Sequence, residues 1–212
     1  MGTSPDMDLL ARTYDATTAA VSGLDDDDFA RATRAEGWDV RALLLHQLLD
    51  AQRALVALAT PTTEPADVDG TTYWHAWHPD RGDGGAAHAA YVRRAAAAYD
   101  GAAGLVGQWR ETASAAARAC AAADPEDRVA TQGHVITVAD LASTLVVEAT
   151  VHLLDLTLHV PGGPPADALA HTRAVLESLY GGPLPAAWDD TEAVLRGTGR
   201  LPDPAPRLPL LG

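Results

Sequence analysis

Val146-Val147-Glu148-Ala149-Thr150-Val151-His152-Leu153-Leu154-Asp155 is written mostly in apolar letters, yet it carries a carboxylate and an imidazole four residues apart. On a helix of about 3.6 residues per turn, side chains at i and i+4 stand one above the other, so Glu148 and His152 can point at a common atom. A metal ion is one candidate for that atom. The other reading is that the two groups bond only to each other, since this spacing also arises by chance. A glutamate set among Leu145, Val146 and Val147 is costly to bury unless it is paired or bound to a cation. Two ligands hold a divalent ion poorly, so the metal reading requires a third from elsewhere in the chain.

The 212 residues suffice for one domain with a sizeable core. The expected organisation is a single helical domain over 1–212, in which 164–212 forms a C-terminal helical extension and tail. Hydrophobic residues make up 47% and charged residues 21% of the chain, and the apolar share rests on alanine, which favours helix. A net charge of -14 argues against a nucleic-acid backbone or an anionic membrane as partner, leaving small molecules or proteins. The lone Cys120 cannot form an intramolecular disulfide, and no secretory leader opens the chain, so a cytoplasmic location is expected. Apolar runs fall short of the roughly 20 residues a membrane helix needs.

The apolar positions Met7, Leu10, Tyr14 and Val21 predict a helix from Asp6 to about Ser22, ended by Gly23. The acidic run Asp25–Asp28 reads as a solvated loop or helix start. Asp39 is placed to cap a helix from Val40 to about Ala59, whose core stripe is Leu44, Leu48, Ala51, Leu55 and Leu58. His46 lies at the edge of that stripe, beside Leu43, Leu49 and Asp50, where a histidine is either a satisfied core residue or a ligand. The segment from Tyr73 to Gly85 gathers Trp74, His75, Trp77, His78 and Arg81 between helix breakers. It reads as a loop facing a substrate or thiol; His75 and His78 as a second metal pair, or aromatics packing the loop onto the body, are the alternatives. Ala86 to about Ala123 predicts one alanine-rich helix or two, loosened near Gly101, Gly104 and Gly107. Cys120 within it reads as a small core residue. Gln132-Gly133-His134 predicts a turn between two short extended pieces, after which Thr137 caps a helix from Val138 to about His159 that carries Glu148 and His152. Amphipathic helices over 165–180 and 189–195 follow, and then a proline-rich tail.

Four long helices with C-terminal additions make an all-α four-helix bundle, a fold whose facing helices can supply metal ligands from the core. His46 on the second long helix would join Glu148 and His152 in a two-histidine, one-carboxylate set. Three protein donors leave a position open for water or substrate, as a catalytic site does. Zinc suits these donors, as do nickel and iron(II). Asp155, one turn beyond His152, reads either as an acceptor that orients the ligand imidazole or as a surface residue.

Gly23-Leu24-Asp25-Asp26-Asp27-Asp28-Phe29 and Gly37-Trp38-Asp39-Val40-Arg41-Ala42-Leu43-Leu44-Leu45-His46 together resemble the N-terminal half of the mycothiol-dependent maleylpyruvate isomerase family, within the DinB/YfiT-like group. Glu148 to Asp155 is similar to that family's E-x-x-x-H-x-x-D element, and Thr198-Gly199-Arg200 to a stretch near the end of many members. The resemblance implies an up-down-down-up bundle and a divalent metal, usually zinc, on His46, Glu148 and His152. It also implies mycothiol, an actinobacterial low-molecular-weight thiol, as cosubstrate. The chain ends soon after Arg200, without the sizeable C-terminal domain associated with the isomerase itself. The expected activity is therefore a metal-dependent thiol transferase or isomerase acting on a small electrophile. A non-catalytic metal- or ligand-binding stress-related protein and a purely structural bundle are the alternatives. Arg110, like Arg81, is a candidate for an acidic substrate or an ordinary surface residue, and a monomer and a homodimer are both compatible with the alanine-rich faces.

Overall fold

The computed structural model describes residues 5–77, 86–202, 204 and 207–211. Along them run α1 (Pro5–Val21), α2 (Asp26–Phe29), α3 (Val40–Leu58), a 3-10 turn (Thr72–Trp77), α4 (Ala86–Ala96) and α5 (Ala102–Ala122). The hairpin β1 (Arg128–Thr131) and β2 (His134–Thr137) follows, and then α6 (Val138–Leu156), α7 (Ala166–Tyr180) and α8 (Asp190–Gly197). The two chain stops expected to begin helices do so. Asp39 accepts a hydrogen bond from the Ala42 amide at 2.8 Å, and Thr137 Oγ1 accepts one from the Asp140 amide at 3.1 Å. The acidic run is a short helix closed by a capping box between Asp25 and Asp28. The alanine-rich stretch divides into α4 and α5 at Gly101, whose φ of +92 suits glycine.

The fold is an all-α bundle of α1, α3, α5 and α6. Helices α1 and α3 each pack against both α5 and α6, which closes the square. Residues 59–101 connect α3 to α5, a length that lets the chain travel back along the bundle, as one parallel pair in an up-down-down-up order requires. The core joins Leu10 and Tyr14, Leu44 and Leu48, Leu105 and Trp109, and Leu145, Leu153 and Leu156. Tyr14 meets Trp109 edge-on at 5.2 Å, and the Trp109 indole donates to Thr18 Oγ1 at 3.0 Å. Ala113, Ala116 and Cys120 are buried on α5, where small side chains permit close approach of α3. Burial raises the Cys120 thiol to about 11, as befits a core residue rather than a nucleophile.

The one strand pair among the described residues is the expected turn: Gln132 and Gly133, with φ of +51 and +83, form a two-residue hairpin that pairs Thr131 with His134. The chain after α3 borders it, through Thr62 N to Arg128 O and Ala130 N to Thr60 O. On the far side of α6, Val147, Val151 and Leu154 join Val175, Leu176, Val194 and Leu195 of α7 and α8 in a second apolar cluster. Helix α6 is therefore covered on both sides. Of its 19 residues only Ala139, Asp140 and Glu148 escape full burial, which explains a run written almost wholly in apolar letters.

Candidate metal centre

Helix α6 ends at Leu156, and its last three turns carry Glu148, His152 and Asp155 on one side. Glu148 Oε2 stands 3.1 Å from His152 Nε2. Across the bundle, α3 brings His46 to the same point, with the two imidazole centroids 4.7 Å apart at 89°. One donor atom from each of His46, Glu148 and His152 lies within 4.8 Å of the others. No other such group of three occurs among the described residues. Two nitrogens and a carboxylate oxygen at this separation suit zinc or a similar divalent ion. Trp38, just ahead of α3, covers them, with its ring 5.0 Å from His46 and nearly parallel to His152 at 6.3 Å.

Each histidine has its Nδ1 tied from behind. His152 Nδ1 lies 3.1 Å from Asp155 Oδ2, and Asp155 is fully buried rather than at the surface. The same carboxylate receives Arg200, from Nε at 3.2 Å and Nη2 at 3.1 Å, while Arg200 Nη1 donates to Thr198 O. His46 Nδ1 lies 3.2 Å from His88 Nε2 of α4. His152 thus turns Nε2 toward Glu148 with the opposite nitrogen held, the arrangement that fixes tautomer and ring angle in metal sites, and His46 has one ring nitrogen engaged by His88.

The charges are strongly coupled. Burial and the neighbouring His152 push His46 down to about 3. Burial also opposes a charge on His152, but hydrogen bonds to Asp155 and Glu148 outweigh it and raise the imidazole to about 9. Burial would raise Glu148, yet His152 and His46 hold its carboxyl below the usual range. Asp155 is lowered in the same way by His152 and Arg200. Asp50, one turn along α3 from His46, goes the other way, raised by burial and by the charge of Glu148.

The structure brings His46, Glu148, His152 and Asp155 together, and sets other sequence candidates elsewhere. Trp74 is buried in the cluster between α6 and the C-terminal helices, while His75 is exposed on the 3-10 turn. The expectation of a loop facing a substrate is thus replaced, at Trp74, by packing: a large indole next to Val151 and Leu154 gains more from burial than from solvent. His78 and Arg81 lie outside the described residues. Arg110 borders a shallow depression on α5 with Gly107, Glu111, Ser114 and Arg118. Sequence reasoning passed over Trp38, Asp50, His88 and the role of Arg200. Asp50 repeats after His46 the four-residue spacing that marked Glu148 and His152, so a signal existed; His88, alone in an alanine run, offered none.

The chain's comparison with protein families supplies an independent reading. Neither the curated proteins nor the solved structures compared with the chain gave a match. The family model described as the mycothiol maleylpyruvate isomerase N-terminal domain matches residues 10–157, which include all of α3 and α6. With that span covering well over half of the sequence, the chain belongs to the mycothiol maleylpyruvate isomerase N-terminal domain family.

Proposed function

We propose that the protein is a metal-dependent enzyme that joins a low-molecular-weight thiol, mycothiol in its family's usage, to a small electrophile, as a transferase or an isomerase. The observation that carries this reading is the convergence of His46, Glu148 and His152 within 4.8 Å, inside a span matched by a mycothiol-related family. A divalent cation held by these three residues, with zinc the ion best suited to them, would favour a thiolate over a thiol at neutral pH. The chain's own residues prepare the place. Asp155 and Arg200 hold the His152 ring, His88 holds His46, and the Trp38 ring lies against both imidazoles. Glu148 has a third of its side chain exposed, so the centre lies within reach of a ligand arriving from solvent.

The test is to load the protein with zinc and follow the disappearance of mycothiol with a panel of epoxides and activated alkenes. An enzyme forms adducts or isomers faster than the free thiol does, and His46→Ala abolishes the gain. Stoichiometric metal and thiol binding with no acceleration for any member of the panel would instead indicate a binding protein.

A further inference from the structure

We propose that Trp38 is a positioning residue of the candidate metal centre, whose indole ring fixes the His46 imidazole in the orientation that serves a cation. The inference rests on reading His46, Glu148 and His152 as metal ligands, and adds to that reading what sets the ring supplied by α3.

The two imidazoles are held differently. His152 lies between two carboxylates of its own helix, with Asp155 Oδ2 3.1 Å from Nδ1 and Glu148 Oε2 3.1 Å from Nε2. His46 has His88 Nε2 3.2 Å from Nδ1 and Asp50 Oδ2 3.3 Å from Nε2. With a polar neighbour near either nitrogen, hydrogen bonding does not choose between the two orientations related by a ring flip, and the outer torsion of histidine is itself broad and two-fold. Packing has to choose. Three rings confine His46, all at steep angles: His152 at 4.7 Å and 89°, Trp38 at 5.0 Å and 62°, and His88 at 5.3 Å and 75°. Of these the indole is the largest.

Trp38 owes its place to a turn more than to the core. Trp109 and Trp74 are buried in the two apolar clusters, whereas Trp38 stays partly exposed, so burial accounts for less of its position. Its backbone is tied at both ends. The Trp38 amide donates to Ala35 O at 3.1 Å, and its carbonyl accepts from Thr33 N at 3.1 Å and Thr33 Oγ1 at 3.0 Å. Gly37 turns the chain with a φ of +75, and Asp39 caps α3 through the Ala42 amide at 2.8 Å. The turn is thus joined to the start of the helix that carries His46, and it delivers one ring against both candidate ligands, edge-on to His46 and within 27° of parallel to His152. Edge-to-face contacts between rings are directional. An apolar side chain without a ring would fill the space and leave the angle of His46 unset.

Cobalt(II) titration of the wild type, Trp38→Phe and Trp38→Leu, read by visible absorption beside thermal unfolding of the metal-free proteins, tests the assignment. Phenylalanine keeps a ring, and is expected to bind cobalt within about threefold of the wild type and with the wild-type bands. Leucine is expected to bind at least about tenfold more weakly and with displaced bands, although the two metal-free variants melt close together. Equal affinity and equal bands in the two variants overturn the proposal, whether both keep binding or both lose it, since the ring then makes no difference. Weaker binding by the leucine variant with wild-type bands marks a general loosening of the fold, and a leucine variant that does not fold marks core packing; each overturns it too. If the wild type takes up no cobalt, the metal reading itself fails and this inference falls with it, whereas a wild type that binds beside indistinguishable variants leaves the metal reading standing and removes Trp38 alone.

Discussion

At the scale of single residues, the centre is a chain of held charges running Arg200, Asp155, His152, Glu148. A proton on His152 occupies the place that a cation would take, since Glu148 and Asp155 stabilise either one. Metal binding must therefore release that proton. With His152 raised to about 9, apparent affinity for zinc should fall about tenfold for each unit of pH below that value, and calorimetry in buffers of different ionisation heat should show close to one proton released near neutrality. Absence of proton release would mean that His152 is not a ligand. The same shift has a stability sign. Because the folded value lies above the ordinary one of 6.5, the charged imidazole stabilises the metal-free protein in full below about pH 6.5, and the gain, up to roughly 3 kcal/mol, is lost as pH rises toward 9. Metal-free protein should thus melt progressively lower from pH 6.5 to 9, whereas zinc-loaded protein should not. Arg200 acts one step further back. Arg200→Ala leaves Asp155 charged and buried with only His152 beside it, a cost of about 3–5 kcal/mol, and should weaken zinc binding about 10–100-fold. Arg200→Lys should recover little of either, because a single ammonium cannot reproduce the paired contacts from Nε and Nη2 to the carboxylate. Full recovery by lysine would reduce the role of Arg200 to its charge.

At the scale of elements, α8 is what delivers Arg200, and its docking on α7 depends on one glycine. A Cβ on Gly197 would lie 2.9 Å from Leu176 Cδ1, and the Gly197 carbonyl accepts the Leu210 amide at 2.7 Å. Gly197→Val should force α8 away from Leu176 at a cost of about 1–3 kcal/mol. Because Arg200 follows within three residues, zinc affinity should fall together with the melting temperature, although the substitution is not in the centre. Gly107→Ala, which meets nothing within 4 Å on α5, is the control: it should leave zinc affinity unchanged and raise the melting temperature slightly, since alanine stabilises a helix interior by about 0.5–1 kcal/mol over glycine. Unaltered zinc binding in Gly197→Val would show that Arg200 keeps its place independently of α8. The elements were legible where one residue had one physical role. Asp39 and Thr137 start helices by capping, and the turn at Gln132 and Gly133 needs positive φ, so each could be read from its letters. The end of α6 was read three residues late, because Thr157 continues the apolar pattern but turns its hydroxyl back onto the Leu153 carbonyl.

At the scale of the whole molecule, α6 could be recognised as a carrier of Glu148 and His152, but not as a helix buried on two faces by partners that come later in the chain. Periodicity reports which side of a helix is apolar; when nearly every position is apolar, it cannot say that Val147 and Val151 await α7 and α8 while Leu145 and Leu153 await α1 and α3. Long-range pairings such as His46 with His88, or Asp155 with Arg200, were hidden for the same reason: spacing speaks for contacts within one helix, and these cross between elements. The family match ends at residue 157, yet the cover of α6 and the partner of Asp155 lie beyond it. A fragment of residues 1–163 should therefore not fold on its own. Uncovering Val147, Val151 and Leu154 forfeits about 1.5–3 kcal/mol for each side chain, and loss of Arg200 strands the buried Asp155 carboxylate at about 3–5 kcal/mol more. Against a total stability of about 5–15 kcal/mol, that sum leaves little or nothing. The expected result is a helical fragment that melts without a sharp transition and takes up zinc at least 100-fold more weakly than the full chain. A sharp transition with zinc affinity near that of the full chain would place the boundary of the folding unit at the end of α6, and would make α7 and α8 an accessory rather than the second half of the core.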